Sequence, residues 1–161
     1  MSARIQLQNL TESPLPAGRL QVAARAALDL SGDRSCSALS VVLADSETLR
    51  AYNRQHRSVD AATDVLSFAA PPMPDAIDAD AAYLGDIIIA CDYVAAQCEA
   101  RGCRLGDALC LLVIHGALHL LGHDHDSAAS RERMWALQAA ALQNLGISPA
   151  LVDDYAATEE G

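Results

Sequence analysis

The sequence predicts an α+β fold, one domain in which a small mixed β-sheet is packed with helices. Three observations carry this. Short runs rich in β-branched residues are interleaved with segments whose apolar residues recur at helical spacing. Residues 105–121 are nearly all apolar and must form a helix lying largely inside the molecule. At 161 residues the chain suits a single domain, large enough to close a core without disulfides or a structural metal.

In order, residues 5–9 alternate apolar and polar like a first strand, and 16–30 carry Leu20, Ala23, Ala27 and Leu30 at helical spacing. Residues 37–43 read as a second strand, after which Asp45 or Ser46 can cap a helix running to about His56. Residues 64–68 form a short apolar strand. Pro71, Pro72 and Pro74 make 69–80 an exposed loop, because proline cannot donate to a sheet ladder. Residues 84–90, rich in isoleucine, are the next strand, followed by a helix capped by Asp92 and ending near Gly102. The apolar helix 105–121 stops at Gly122, since glycine supplies a left-handed cap at little steric cost. A turn at 123–126 leads to a last helix capped by Asp126 or Ser127, with Met134, Leu137, Ala141 and Leu145 as its apolar stripe. Residues 1–150 are read as the single domain and 151–161 as an acidic flexible tail. Strand order does not follow from one sequence.

Composition excludes several classes. Hydrophobic residues make up 52% of the chain, yet no run reaches the roughly 18 apolar residues of a membrane helix, and the start lacks a leader pattern. The expected setting is soluble and cytoplasmic, with no membrane partner. Five cysteines, at 36, 91, 98, 103 and 110, form an odd set without a C-x-x-C pair, which favours reduced, packed thiols over a disulfide framework or a cysteine metal site. The formal charge of -10 argues against broad adhesion to nucleic acid, whose binding gains from counterion release at basic residues. The acid is unevenly placed, however: Asp75, Asp78 and Asp80 share one loop, and Asp153, Asp154, Glu159 and Glu160 share the tail. All 11 basic residues are arginines, whose forks grip phosphate at two points.

Four of the five histidines fall within His115-Gly-Ala-Leu-His119-Leu-Leu-Gly122-His123-Asp-His125. Residues four apart on a helix are neighbours, so His115 and His119 project from one face and can share an ion. Gly122 ends the helix and lets the chain bring His125 to the same ion, giving three nitrogens and an open fourth position. One lone histidine on an apolar helix is usually a satisfied core residue; three in H-x3-H-x5-H around a helix-ending glycine are not so explained. Zinc, one ion per chain, is the default, because it accepts tetrahedral nitrogen sites with an open position. His123 then points elsewhere. Asp124 and Asp126 either orient a ligand ring or form the turn and cap the next helix. The ligand spacing is that of the metzincin peptidases, but their general-base glutamate is replaced by Gly116.

The string HGALHLLGHDH closely resembles the YbeY family of bacterial endoribonucleases and rRNA maturation factors. So do the segment from Asn53 through Arg57 to Thr63-Asp64-Val65-Leu66-Ser67-Phe68 and the strand Leu84-Gly85-Asp86-Ile87. The resemblance implies a zinc-bound fold with a small mixed sheet. It implies single-strand cleavage of RNA in 16S rRNA processing and ribosome quality control, with ribosomal proteins and assembly GTPases as partners. His115, His119 and His125 match the family's zinc ligands, and Arg57 its functionally important arginine; Arg57 and His115 are the candidate catalytic residues. The family often has lysine and proline where this chain has Val59 and Ala62. Three neutral imidazoles leave the ion its full charge for polarising a phosphoryl oxygen, and Arg57 can clamp the same phosphate. Asp64, Ser67 and Asp86 read as structural. Two alternatives stand beside this: a zinc peptidase in which Asp124 or His123 replaces the glutamate, and a non-enzymatic ribosome-assembly factor whose metal is structural and whose acidic surface meets basic proteins.

Overall fold

A computed structural model of the protein describes residues 3–32, 37–70 and 83–152. Its elements run β1 (Arg4–Asn9), α1 (Ala17–Leu30), β2 (Ala38–Ala44), α2 (Ser46–Arg57), β3 (Val65–Ala69), β4 (Tyr83–Ala90), α3 (Cys91–Arg101), α4 (Leu105–Leu120) and α5 (Ala128–Asn144). The sheet order is β1-β2-β4-β3. The first three strands pair in parallel, and β3 lies antiparallel at the edge with Val65 opposite Ile89 and Ala69 opposite Gly85. The predicted mixed sheet packed with helices is therefore present, and each predicted element is found within two residues of its expected bounds.

Strand alternation sends side chains to two unlike faces. Ile5, Leu39, Val41, Leu43, Ile87 and Ile89 point into the main core, which they share with α1, α3, α4 and α5. Leu66, Ile88 and Ala90 point the other way and pack with Leu49 of α2 in a smaller cluster. Helix α4 runs through the main core, with every residue from Ala108 to Leu118 buried. Its apolar composition all round is the consequence, as a helix surrounded by protein has no wet face to pattern. Among the described residues no helix is long and apolar enough to cross a membrane.

The caps resolve the alternatives left by the sequence. Asp45 caps α2, accepting from the Thr48 N–H at 2.8 Å. Ser127 caps α5 in a reciprocal pair with Ser130. Asp92 does not cap α3: it lies inside that helix, and its carboxylate reaches across to α2, accepting from the Ser46 N–H at 2.8 Å and the Ser46 hydroxyl at 2.5 Å. A carboxylate at the start of α2 satisfies N–H groups that have no partner within that helix. Asp86 accepts from the Tyr83 hydroxyl, which also meets Ser40 at 2.8 Å, on the sheet face shared with α2. Its partner is thus a side-chain hydroxyl rather than the backbone donors expected of a structural carboxylate in this strand. The stripe of α5 also differs, with Met134, Gln138, Ala141 and Leu142 buried and Leu137 and Leu145 only half-buried.

Leu151 and Val152, read from the sequence as the first residues of the tail, are 8% and 3% exposed and belong to the main core. Acidic neighbours in sequence concealed two apolar side chains that reach back to the domain. The remaining tail, and nearly all of the predicted proline loop, lie outside the described residues.

Candidate metal centre

The centre is built at the end of α4. His115 and His119 stand one turn apart, so their rings meet edge to face with Nε2 atoms 3.0 Å apart. Gly122, at φ +97°, ends the helix: its N–H donates to the His119 carbonyl and the His123 N–H to the Leu118 carbonyl, both at 3.0 Å. The reversal swings His125 back until its ring centroid lies 5.2 Å from that of His119 and 5.7 Å from that of His115. One ligand nitrogen from each of the three lies within 4.8 Å of the other two, so the group could hold a metal ion.

Hydrogen bonds orient the rings. His115 Nδ1 donates to Gln138 Oε1 at 2.6 Å, and His119 Nδ1 donates to the His123 carbonyl at 3.0 Å. With Nδ1 engaged in both, each ring turns its Nε2 toward the other. Two lone pairs that close repel unless something positive lies between them. A proton on His115 fits poorly, because burial pushes that ring down to about 4, aided by His125 and opposed by the Gln138 bond. A divalent cation fits well, as tetrahedral Zn–N bonds of about 2.0–2.1 Å set ligand nitrogens about 3.3 Å apart.

Two residues of α5 complete the centre and were not anticipated from the sequence. Gln138, 2% exposed, holds His115. Trp135 packs its ring across those of His115 and His125, at 6.0 and 5.7 Å, and forms an apolar wall behind them. The signal for Gln138 is a polar residue on the buried stripe between Met134 and Ala141. His123 contributes through its backbone carbonyl. Asp124 is held below the usual carboxylate range by the Ser130 hydroxyl and by the Asp126 N–H, which marks it as a turn residue.

The rings open into a cleft of about 380 Å³ whose other walls include Arg57, Thr63, Asp64 and Ser67. Arg57 is exposed at the end of α2, just before Ser58 in the left-handed conformation at φ 56°. Buried Asn53 donates to the Ala61 carbonyl at 3.1 Å, and Arg50 grips Asp60 through Nε at 2.7 Å and Nη2 at 3.2 Å. These bonds fold the segment after α2 back so that Thr63 and Asp64 reach the cleft. Asp64 and Ser67, read from the sequence as fixtures of loop and strand, thus face the histidines. Gly116 does not: a Cβ there would lie 2.8 Å from Ile87 Cγ2, against the sheet. The position that holds the peptidase glutamate has no room for a side chain.

Fold and centre together define a class, a small α+β protein with three histidines at the end of a buried helix that could hold a metal ion. The family model described as Endoribonuclease YbeY matches residues 6–146. Proteins of that name from Paramagnetospirillum magneticum and Moorella thermoacetica are 41% and 40% identical to this chain, over 132 and 134 residues. The matches cover 81% of this chain and 79% of the first relative, and 80% of this chain and 84% of the second. The solution structure of a Thermotoga maritima protein shares the fold, with a TM-score of 0.56 at 21% identity over 87% of this chain and 90% of that one. The chain belongs to the YbeY family.

Proposed function

We propose that the protein is a zinc-dependent endoribonuclease that cuts single-stranded RNA in 16S rRNA maturation and ribosome quality control, in the cytoplasm, with ribosomal proteins and assembly GTPases as partners. The observation that carries this is the convergence of three ring nitrogens and an arginine on one cleft. His115, His119 and His125 would hold the ion, which when bound supplies Lewis acidity toward a phosphoryl oxygen. Arg57 presents its guanidinium fork to the same phosphate, adding positive charge where negative charge develops during cleavage. Gln138 and the His123 carbonyl keep the rings in the tautomer that directs Nε2 at the ion. Trp135 excludes water from the rear of the centre. Residues 1–152 serve as one catalytic domain.

The name carried by the curated relatives supports RNA as substrate. The peptidase glutamate has no counterpart here, since Gly116 abuts Ile87, and Asp124 is engaged in the turn. The test is cleavage of single-stranded RNA alongside metal analysis. The wild type should carry one zinc per chain and cut. His119→Ala should lose the ion and roughly 10³-fold or more in rate, and Arg57→Ala should keep the ion and lose roughly 10²- to 10³-fold. Equal cleavage by all three proteins would defeat the proposal.

A further inference from the structure

Helix α3 ends at Gly102, which takes the left-handed conformation at φ +74°. The Gly102 N–H donates to the Cys98 carbonyl at 2.8 Å and the Cys103 N–H to the same oxygen at 3.1 Å. This kind of helix end folds the residue after the glycine onto the residue five positions earlier, and the two side chains that meet are ordinarily apolar. Here both are cysteines. The Cys103 thiol donates to the Cys98 sulfur with the two Sγ atoms 2.8 Å apart, less than about 1 Å from bonding distance. Cys98 is buried and Cys103 half-buried, so one sulfur is reachable from solvent and the other waits beneath it.

We infer that Cys98 and Cys103 are an oxidisable pair that closes to an intrachain disulfide, tying the end of α3 to the entry of α4. With a peroxide as oxidant, the Cys103 thiolate attacks one peroxide oxygen; the O–O bond breaks, giving a sulfenic acid and, after proton uptake, one water. The Cys98 sulfur then attacks the Cys103 sulfur, the S–O bond breaks, and the Cys98 proton leaves with the hydroxyl as a second water. Two thiols are oxidised by two electrons and one peroxide is reduced. Cys103, the half-buried sulfur, is the one a peroxide reaches first, while burial pushes the Cys98 thiol up to about 12. Helix α4 carries His115 and His119, but the pair sits before its first turn and leaves the metal centre intact.

The test treats the full chain with hydrogen peroxide at neutral pH, then denatures it, alkylates it with N-ethylmaleimide and weighs it. The reduced chain, with five cysteines, should take five adducts and the oxidised chain three. Trypsin, cutting after Arg57, Arg101 and Arg104, should release peptide 102–104 linked to peptide 58–101. Because the larger peptide also holds Cys91, Cys98→Ser should abolish the link and Cys91→Ser should keep it. If either variant does not fold, fragmentation of the linked wild-type peptides by tandem mass spectrometry should place the bond on Cys98 rather than on Cys91. Metal content should be the same before and after oxidation. Five adducts after peroxide, sulfinic acid on Cys103 with Cys98 still alkylated, or a link through other cysteines or between chains would overturn the inference.

Discussion

Two clefts lie at different ends of this sheet, and the larger is the less equipped. One, of about 500 Å³, opens where β1, β2 and β4 end, between Thr11, Ser13, Asp45, Thr48 and Asp92. In open sheets with parallel strands that is where ligands usually bind. Yet Asp45 is committed to Thr48 and Asp92 to Ser46, both as supports for the start of α2. The histidine cleft is smaller, at about 380 Å³, but its ring nitrogens are turned toward one another by bonds made on their far sides. Polar groups that hold up a helix are already satisfied; polar groups held against each other require a third party. Convergence of donor atoms, rather than volume or topology, distinguishes the candidate site.

The comparison can be broken most forcefully by acid. His115 has a folded pKa of about 4 against 6.5 unfolded, so the metal-free folded state binds fewer protons than the unfolded state between those values. Its contribution is fully present above about pH 6.5 and lost as the pH falls toward 4, by about 3 kcal/mol. Urea unfolding of metal-stripped protein at several pH values should show that loss, and His115→Gln should flatten it. An unchanged slope in the variant would assign the loss elsewhere. Next in size, Gln138→Leu should weaken metal binding by roughly 10- to 100-fold while the protein stays folded, measured by competition with a chelator. An unaltered affinity would reduce Gln138 to a packing residue. Gly116→Ala should cost about 1–3 kcal/mol in thermal or urea unfolding, because the added methyl meets Ile87. Smallest of all, Asp92→Ala should cost about 1 kcal/mol at the start of α2 and leave metal content unchanged. A lost ion in that variant would mean that the two ends are coupled.

The histidine triad was legible because helical spacing and a helix-ending glycine are local rules, and His115, His119, Gly122 and His125 obey them within eleven residues. Arg57 was legible only through resemblance, since nothing in its neighbours says that the end of α2 meets the end of α4. Gln138 and Trp135 went unseen for the same reason: they sit on α5, and their partner ring belongs to another helix. The signal for Gln138 is an amide on a buried stripe, but hydrophobicity alone prefers Leu137 and Leu145. Asp92 was misassigned by a local rule. It stands where a cap would stand, yet the N–H it serves lies 46 residues earlier, across a contact that only the sheet order creates. Strand order itself depends on which edges pair, and alternating patterns within each strand do not encode that.

Trp135 is the chain's one tryptophan, and its ring lies 5.7 Å from His125 and 6.0 Å from His115. Its ultraviolet fluorescence therefore reports on this one place in the fold, with no second indole to dilute the signal. Filling and emptying of the centre can be followed in real time on unlabelled, unmutated protein, before any RNA is added.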